Sequence, residues 1–231
     1  MFAVLFEVQP NPAHQDAYLA HAQALRPELE RIDGFVDNLR YGSLTRPGWL
    51  LSLSTWRDEK SLVRWRAHAA HHLVQAKGRG GVLLDYHLRV GEVAADTRPP
   101  AGHALRTQRL DETEAGLGTA ATLLDARLEP RWVREAGAAN VAAALGLDVQ
   151  ARDLLAWDAF DAVLAPGDAI VLATWRDAEA ARASLAHAAG ETARRRRVRV
   201  VRDYGMFDRR EAPQHHPPAP RPDRSESSTV S

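Results

Sequence analysis

Cysteine is absent from the 231-residue chain, which removes disulfides, thiolate nucleophiles and cysteine-bearing zinc sites. An excess of either charge is also missing: thirty basic residues face thirty acidic ones. No long-range field therefore steers nucleic acid or an anionic membrane surface toward the molecule. Long hydrophobic runs are lacking too. The opening MFAVLFEVQP has no basic flank, and its apolar stretch is too short for a signal segment or a membrane span. These absences predict a soluble, cytoplasmic protein with no nucleic-acid and no membrane partner.

What is present is a core of some size. Hydrophobic residues make up 45% of the chain, and 231 residues can form one large domain or two small ones, each with its own core. An internal repeat favours two. TWRD occurs at Thr55 to Asp58 and again at Thr174 to Asp177, each preceded by Pro-Gly at one fixed distance and followed by AHAA at another. Asp85-Tyr86 and Asp203-Tyr204 match as well. Shared order and spacing at so many points predict a duplication, with residues 1–93 as the first domain and 119–210 as a degenerate second. The Pro- and Gly-containing stretch 94–118 reads as a linker, and 211–231, rich in proline, charge and serine, as a disordered tail.

Each copy reads as strand, helix, strand, strand, helix, strand. In the first, Phe2 to Val8 is an apolar-rich strand and Pro12 to Ile32 carries a helical stripe ended by Gly34. Phe35 to Leu44 and Trp49 to Trp56 form a hairpin through TRPG. Asp58 caps the next helix, whose stripe Leu62, Trp65, Ala69, Leu73, Ala76 has the 3.6-residue period up to Gly78. Val82 to Val93 closes the unit. The second copy runs Thr119 to Leu128, a helix within Pro130 to Leu145, a hairpin around Pro166-Gly167, a helix from about Ala178, and Val198 to Phe207.

Leu51 with Leu53, and Ile170 with Leu172, make one sheet face apolar in each copy, yet the opposite face is not fully polar. The fold class that follows is α+β: two ferredoxin-like βαββαβ domains in tandem, packed sheet to sheet as an intramolecular α/β-barrel pseudo-dimer. Further homo-oligomerisation is compatible with it. The RRRRVRVVR run from Arg194 to Arg202 reads as a charged helix end entering an edge strand.

The run GFVDNLRYGSLTRPGWLLSLSTWRDEKSLVRWRAHAAHHLVQAKGRGGVLLDYHLRV, Gly34 to Val90, resembles the antibiotic biosynthesis monooxygenase family of dimeric α/β-barrel proteins. That resemblance implies ferredoxin-like domains paired through their sheets and a monooxygenase that oxidises a phenol, anthrone or quinol with O2 and no cofactor. Such chemistry needs a base and an apolar, shaped pocket. Trp65 and His72, seven apart with the small Ala69 between them, share a helical face in this reading: Trp65 as an aromatic wall, His72 as the base that takes a substrate proton. Trp56, His68, His71 and Gln75 are the further candidates for contact with substrate.

His68 and His71 fall with Arg64 and Gln75 on a more polar stripe, which reads equally as a solvated helix face. A metal shared by His68 and His72, four apart, lacks the carboxylate and third ligand of helical zinc motifs, so no metal is expected. Haem is the alternative cofactor, since close relatives bind and degrade it. Here Gln75 stands ten residues beyond Trp65 where those relatives have an iron-ligating histidine, and Phe6 or Glu7 where they have a strand asparagine. Iron would fall to His71 or His72. A third reading is an inert protein that stores or senses a small hydrophobic molecule. Trp56, Asp58 and His68 recur as Trp175, Asp177 and His187, which marks them as structural. Trp65, His71, His72 and Gln75 face Ser184, Gly190, Glu191 and Arg194, which places any active site in the first half.

Overall fold

Two Pro-Gly turns set the hairpins. Gly48 (φ 80°) and Gly167 (φ 95°) take the left-handed conformation that glycine alone adopts without strain. In the computed structural model, which describes residues 1–187 and 193–213, the first turn joins β2 (Phe35–Ser43) to β3 (Leu50–Trp56). The second joins β6 (Leu154–Ala162) to β7 (Asp168–Trp175). The remaining strands are β1 (Phe2–Pro10), β4 (Leu83–Asp96), β5 (Ala120–Arg127) and β8 (Arg194–Gly205). The order βαββαβ occurs twice. Residues 214–231 of the expected tail, and Gly190 and Glu191, lie outside the described residues.

The helices follow their capping signals, with two breaks that periodicity did not reveal. Helix α1 is Gln15–Glu30, and the backbone turns out of it at Gly34 (φ 88°). The expected helix from Asp58 to Gly78 is two: α2 (Glu59–Arg66), capped by the Asp58 carboxylate on Ser61 N at 2.7 Å, and α3 (Ala69–Lys77). His68 between them has extended backbone (φ −65°, ψ 129°). The break rotates the two faces relative to each other, so the single stripe does not hold, and Leu73 points to solvent at 64% exposure. In the second half, Gly137 (φ 78°) splits the expected helix into α4 (Pro130–Ala136) and α5 (Ala138–Ala144). Helix α6 is Ala178–His187. Among the described residues no helix is long and apolar enough to cross a membrane.

Each half is a four-stranded antiparallel sheet, and the two are joined edge to edge into one closed barrel of order β1-β3-β2-β6-β7-β5-β8-β4. One seam is short, from Tyr41 opposite Ala162 to Ser43 opposite Phe160. The other is long, from His87 opposite Gly205 to Asp96 opposite Arg196. Closure gives every strand of the barrel a neighbour on both sides, although β2 and β6 meet over three residue pairs only. Leu51, Leu53, Ile170 and Leu172 point inward as expected, together with Leu5, Leu123, Phe160 and Val198, and they fill the barrel interior. The two sheets shelter each other across this packed core, so the space between them is not a chamber.

The arginine run is corrected by the same closure. Arg194 to Arg197 belong to β8 itself, which pairs with β4 on one side and β5 on the other and is no edge strand. Acids from neighbouring segments neutralise it: Arg194 with Asp96 (2.7 Å), Arg196 with Asp125 (2.6 Å), and Arg199 with Glu92. The connecting stretch after Asp96 is pinned to the barrel. Leu105 packs on the inner core, and the Glu92 carboxylate accepts the backbone N–H of Gln108 at 2.5 Å.

At one end of the barrel a buried ionic network crosses between halves. The Glu7 carboxylate receives Arg89 and Arg46 at 2.5 Å each. Arg46 continues to Asp158 of β6 (2.8 Å) and Arg89 to the Thr174 hydroxyl of β7 (2.6 Å). His87 bonds Asp203 of β8 at 2.6 Å. Burial by itself would raise the Glu7 pKa, but Arg89, the His87 hydrogen bond and Arg46 together hold it far below the usual carboxylate range.

Candidate active site

Outside the barrel, each half has a layer between its sheet and its helices, and the two layers differ. In the second half the layer is filled by Trp175, Val133, Val141, Leu145, Leu124 and their neighbours. In the first half it holds a cavity of about 240 Å³, lined mainly by apolar side chains of β1, β4 and α1 to α3. At about 30 Å³ per water this is room for about eight waters, or one small ligand.

The floor of the cavity is dictated by strand register. Asn38, Ser54, Val4 and Val90 form one row across β2, β3, β1 and β4, and Arg40, Ser52, Phe6 and Leu88 form the next. All eight line the cavity. The floor is thus polar over β2 and β3 and apolar over β1 and β4. Asn38 donates to the Ser52 hydroxyl at 3.0 Å, which fixes the polar half. Tyr18 and Leu25 of α1, Trp65 of α2 and His71 and Gln75 of α3 form the roof. Two lining residues come from the other half: Tyr204 at the end of β8 and Arg209 beyond it. Arg79 and Arg209 both donate to the Tyr86 hydroxyl, at 3.0 and 2.5 Å.

Of the residues singled out in the sequence, Trp65, His71 and Gln75 meet at this cavity. His71 lies flat on Trp65, with ring centroids 4.4 Å apart and planes 13° from parallel. Its Nδ1 is 3.1 Å from the Trp65 carbonyl oxygen. A carbonyl only accepts, so Nδ1 carries the proton and Nε2 keeps the lone pair. Burial, partly offset by that hydrogen bond, pulls the His71 pKa down to about 4. The imidazole is therefore neutral near pH 7. Burial also raises the Tyr18 and Tyr204 hydroxyls, the latter to about 12, so neither phenol ionises there.

The other three do not line the cavity. His72, the expected base, is exposed on the far side of α3, because the break at His68 turns His71 inward in its place. His68 stacks on Trp65 at 5.7 Å and approaches Glu28 of α1 at 3.9 Å, a position that braces the tryptophan. Trp56 is fully buried behind the cavity, donating from Nε1 to Ser54 at 3.0 Å. Among the described residues no group of three or more His, Asp or Glu is placed to hold a metal ion. Of the two imidazoles considered for iron, His72 is outside the lining, and only His71 could offer a nitrogen, its Nε2, to a haem there.

The profile of the antibiotic biosynthesis monooxygenase family matches residues 1–77. Jasmonate monooxygenase ABM of Pyricularia oryzae is 50% identical over 224 residues, spanning 95% of this chain and 100% of that protein. The chain belongs to the antibiotic biosynthesis monooxygenase family. Among solved structures, an aldoxime dehydratase in complex with butyraldoxime shares the fold with a TM-score of 0.52 at 13% identity, covering 86% of this chain and 79% of that one. A putative monooxygenase from Fusobacterium nucleatum is similar at a TM-score of 0.35 and 10% identity, covering 87% and 93%. Residues that periodicity missed in this family member are Tyr18, Asn38, Arg40, Tyr86 and Tyr204. One signal was available for the floor: Ser52 and Ser54, two apart, on a face that has to pack against helices.

Proposed function

We propose that this protein is a monooxygenase that binds a small, largely apolar molecule in the first-half cavity and adds to it one oxygen atom of O2. The observation that carries the reading is the 50% identity to a jasmonate monooxygenase over that protein's whole length, joined to a cavity of matching scale. A jasmonate-type acid is accordingly the first candidate substrate. Phenols, anthrones and quinols are the second, favoured by the flat Trp65–His71 stack at the roof. For an anthrone the site needs no cofactor. His71 Nε2 takes a proton from the CH2 group, the resulting carbanion gives two electrons to O2, and the group becomes C=O as the second oxygen leaves as water. Hydroxylation of an ordinary C–H bond consumes two further electrons, so a jasmonate-type substrate requires an external two-electron donor such as NADPH.

We also propose that the halves descend from one duplicated unit and that the second serves as a built-in partner. Matching Pro-Gly turns, buried Trp56 and Trp175, and the Asp58 and Asp177 caps support this. The activity is tested by incubating purified protein with jasmonic acid, anthrone and a quinol under 18O2, with and without NADPH. One labelled oxygen in the product is the expected result. Absence of O2 uptake and of labelled product across the whole set would remove the monooxygenase reading. Titration with hemin is expected to leave the free-hemin absorbance unchanged, and a Soret band dependent on His71 would favour the haem alternative.

A further inference from the structure

The lining of the cavity contains Arg40, Arg66, Arg79 and Arg209, and neither an aspartate nor a glutamate. Positive charge thus enters the lining with no acid to match it there. Arg40 is the informative one. It stands on the polar half of the floor, lies near enough to Tyr18 to act on its hydroxyl, and makes no salt bridge among the described residues. Its guanidinium lines the cavity, and a guanidinium presents its N–H groups in a fork that matches a carboxylate.

We infer that Arg40 anchors the carboxylate of an amphiphilic acid substrate, whose apolar body then lies over Val4, Phe6, Leu88 and Val90. The inference rests on the monooxygenase reading and deepens it, because it names the substrate class and its orientation in that site. The strand register carries the orientation. Arg40 and Ser52 are neighbours in one row, Phe6 and Leu88 continue it, and an extended ligand along that row passes from charge to hydrocarbon in four strands. A neutral ligand of the same shape would bring the Arg40 guanidinium no counter-charge and gain less. Discrimination of this kind, where a site built for a polar group rejects the analogue that lacks it, is stronger than discrimination by size.

Jasmonic acid and its methyl ester serve as the probe pair, with binding followed by calorimetry and turnover by O2 uptake with NADPH present. The wild-type protein is expected to bind the acid about ten- to a hundredfold more tightly than the ester, the range of one charge-assisted hydrogen-bonded pair. In Arg40→Gln that ratio falls to about one, and Arg40→Lys restores part of it. Circular dichroism and the unfolding midpoint establish that both variants fold; a preference carried by mere structure would not track the charge at position 40. Equal affinity for acid and ester in the wild type, or a preference that survives Arg40→Gln, overturns the inference and leaves the monooxygenase reading standing. Tight, Arg40-dependent binding of the acid with no turnover supports the anchor and counts against the reaction. Failure of both probes to bind removes the jasmonate-type reading and the anchor with it.

Discussion

Glutamine in place of Glu7 keeps the shape of the side chain and deletes one negative charge from the barrel end. Arg89 would lose the carboxylate partner that it holds at 2.5 Å while its own side chain stays at 4% exposure. Breaking a buried pair on one side costs about 3–5 kcal/mol, because the remaining charge is left uncompensated. The Arg46 arm adds little, since that side chain is 36% exposed and keeps Asp158. At about 2–4 °C per kcal/mol for a chain of this length, the melting midpoint should fall by about 6–20 °C. Calorimetry at pH 7, checked by urea unfolding, measures it. The sign with pH follows from the depressed Glu7 pKa. Its contribution is present above the unfolded carboxylate pKa, about 4.3, and is lost as pH falls through the lower folded one. The gap between wild type and Glu7→Gln should thus be flat at neutral pH and close in strong acid. The double variant Glu7→Leu with Arg89→Met should recover much of the loss, since apolar replacement of both partners is often neutral. A loss under about 1 kcal/mol at pH 7 would mean that the pair is screened like a surface bridge, and the reasoning would fail.

Other outcomes follow from the same geometry. His71→Ala should slow turnover by about two to four powers of ten, the usual weight of a general base, while His72→Ala stays close to wild type; the reverse order would put the base on the exposed side. With His71 as a base that works unprotonated, kcat should hold from pH 8 to about 5 and drop as pH falls through about 4, which a pH-rate profile in the wild type records. Burial alone would lower the His87 pKa, but hydrogen bonds to Asp203 and Glu7 outweigh it and raise it. Its stabilising contribution is therefore full below about pH 6.5 and lost as pH rises through the folded value, so His87→Asn should flatten the stability curve on the alkaline side. Gly91→Ala would push a Cβ to 2.3 Å from Val198 and 2.6 Å from the Arg199 carbonyl at the β4–β8 seam. A loss of about 1–3 kcal/mol in urea unfolding is expected from such overpacking.

The fold was legible wherever one short signal decides one local geometry. Pro-Gly pairs gave both hairpins, Asp58 gave its cap, and the alternation around Leu51, Leu53, Ile170 and Leu172 gave the inward face. What failed was the extrapolation of one helical period across Ala67 and His68, where nothing as loud as proline or glycine marks the break. That single kink turned His71, in place of His72, toward the cavity. The position of the cavity was also hidden. It depends on register among four strands and on whether a layer is filled, and both arise from contacts far apart in sequence. Arg40 could be read as an ordinary surface cation on β2 until its neighbours Tyr18 and Ser52 were in place. The arginine-rich β8 misled for a related reason: its counter-ions Asp96, Asp125 and Glu92 come from other strands.

The unequal filling of the two outer layers has a thermodynamic corollary. An unfilled space of about 240 Å³ withholds up to about 6 kcal/mol at about 24 cal/mol per Å³, and water entering the gap lessens the deficit. The solid half then acts as a keel: α4 and α5 should protect their amides from exchange longest, whereas α2 and α3 open first, at the very place where a guest has to enter. A molecule that settles there makes good the missing contacts, so occupancy and rigidity rise together.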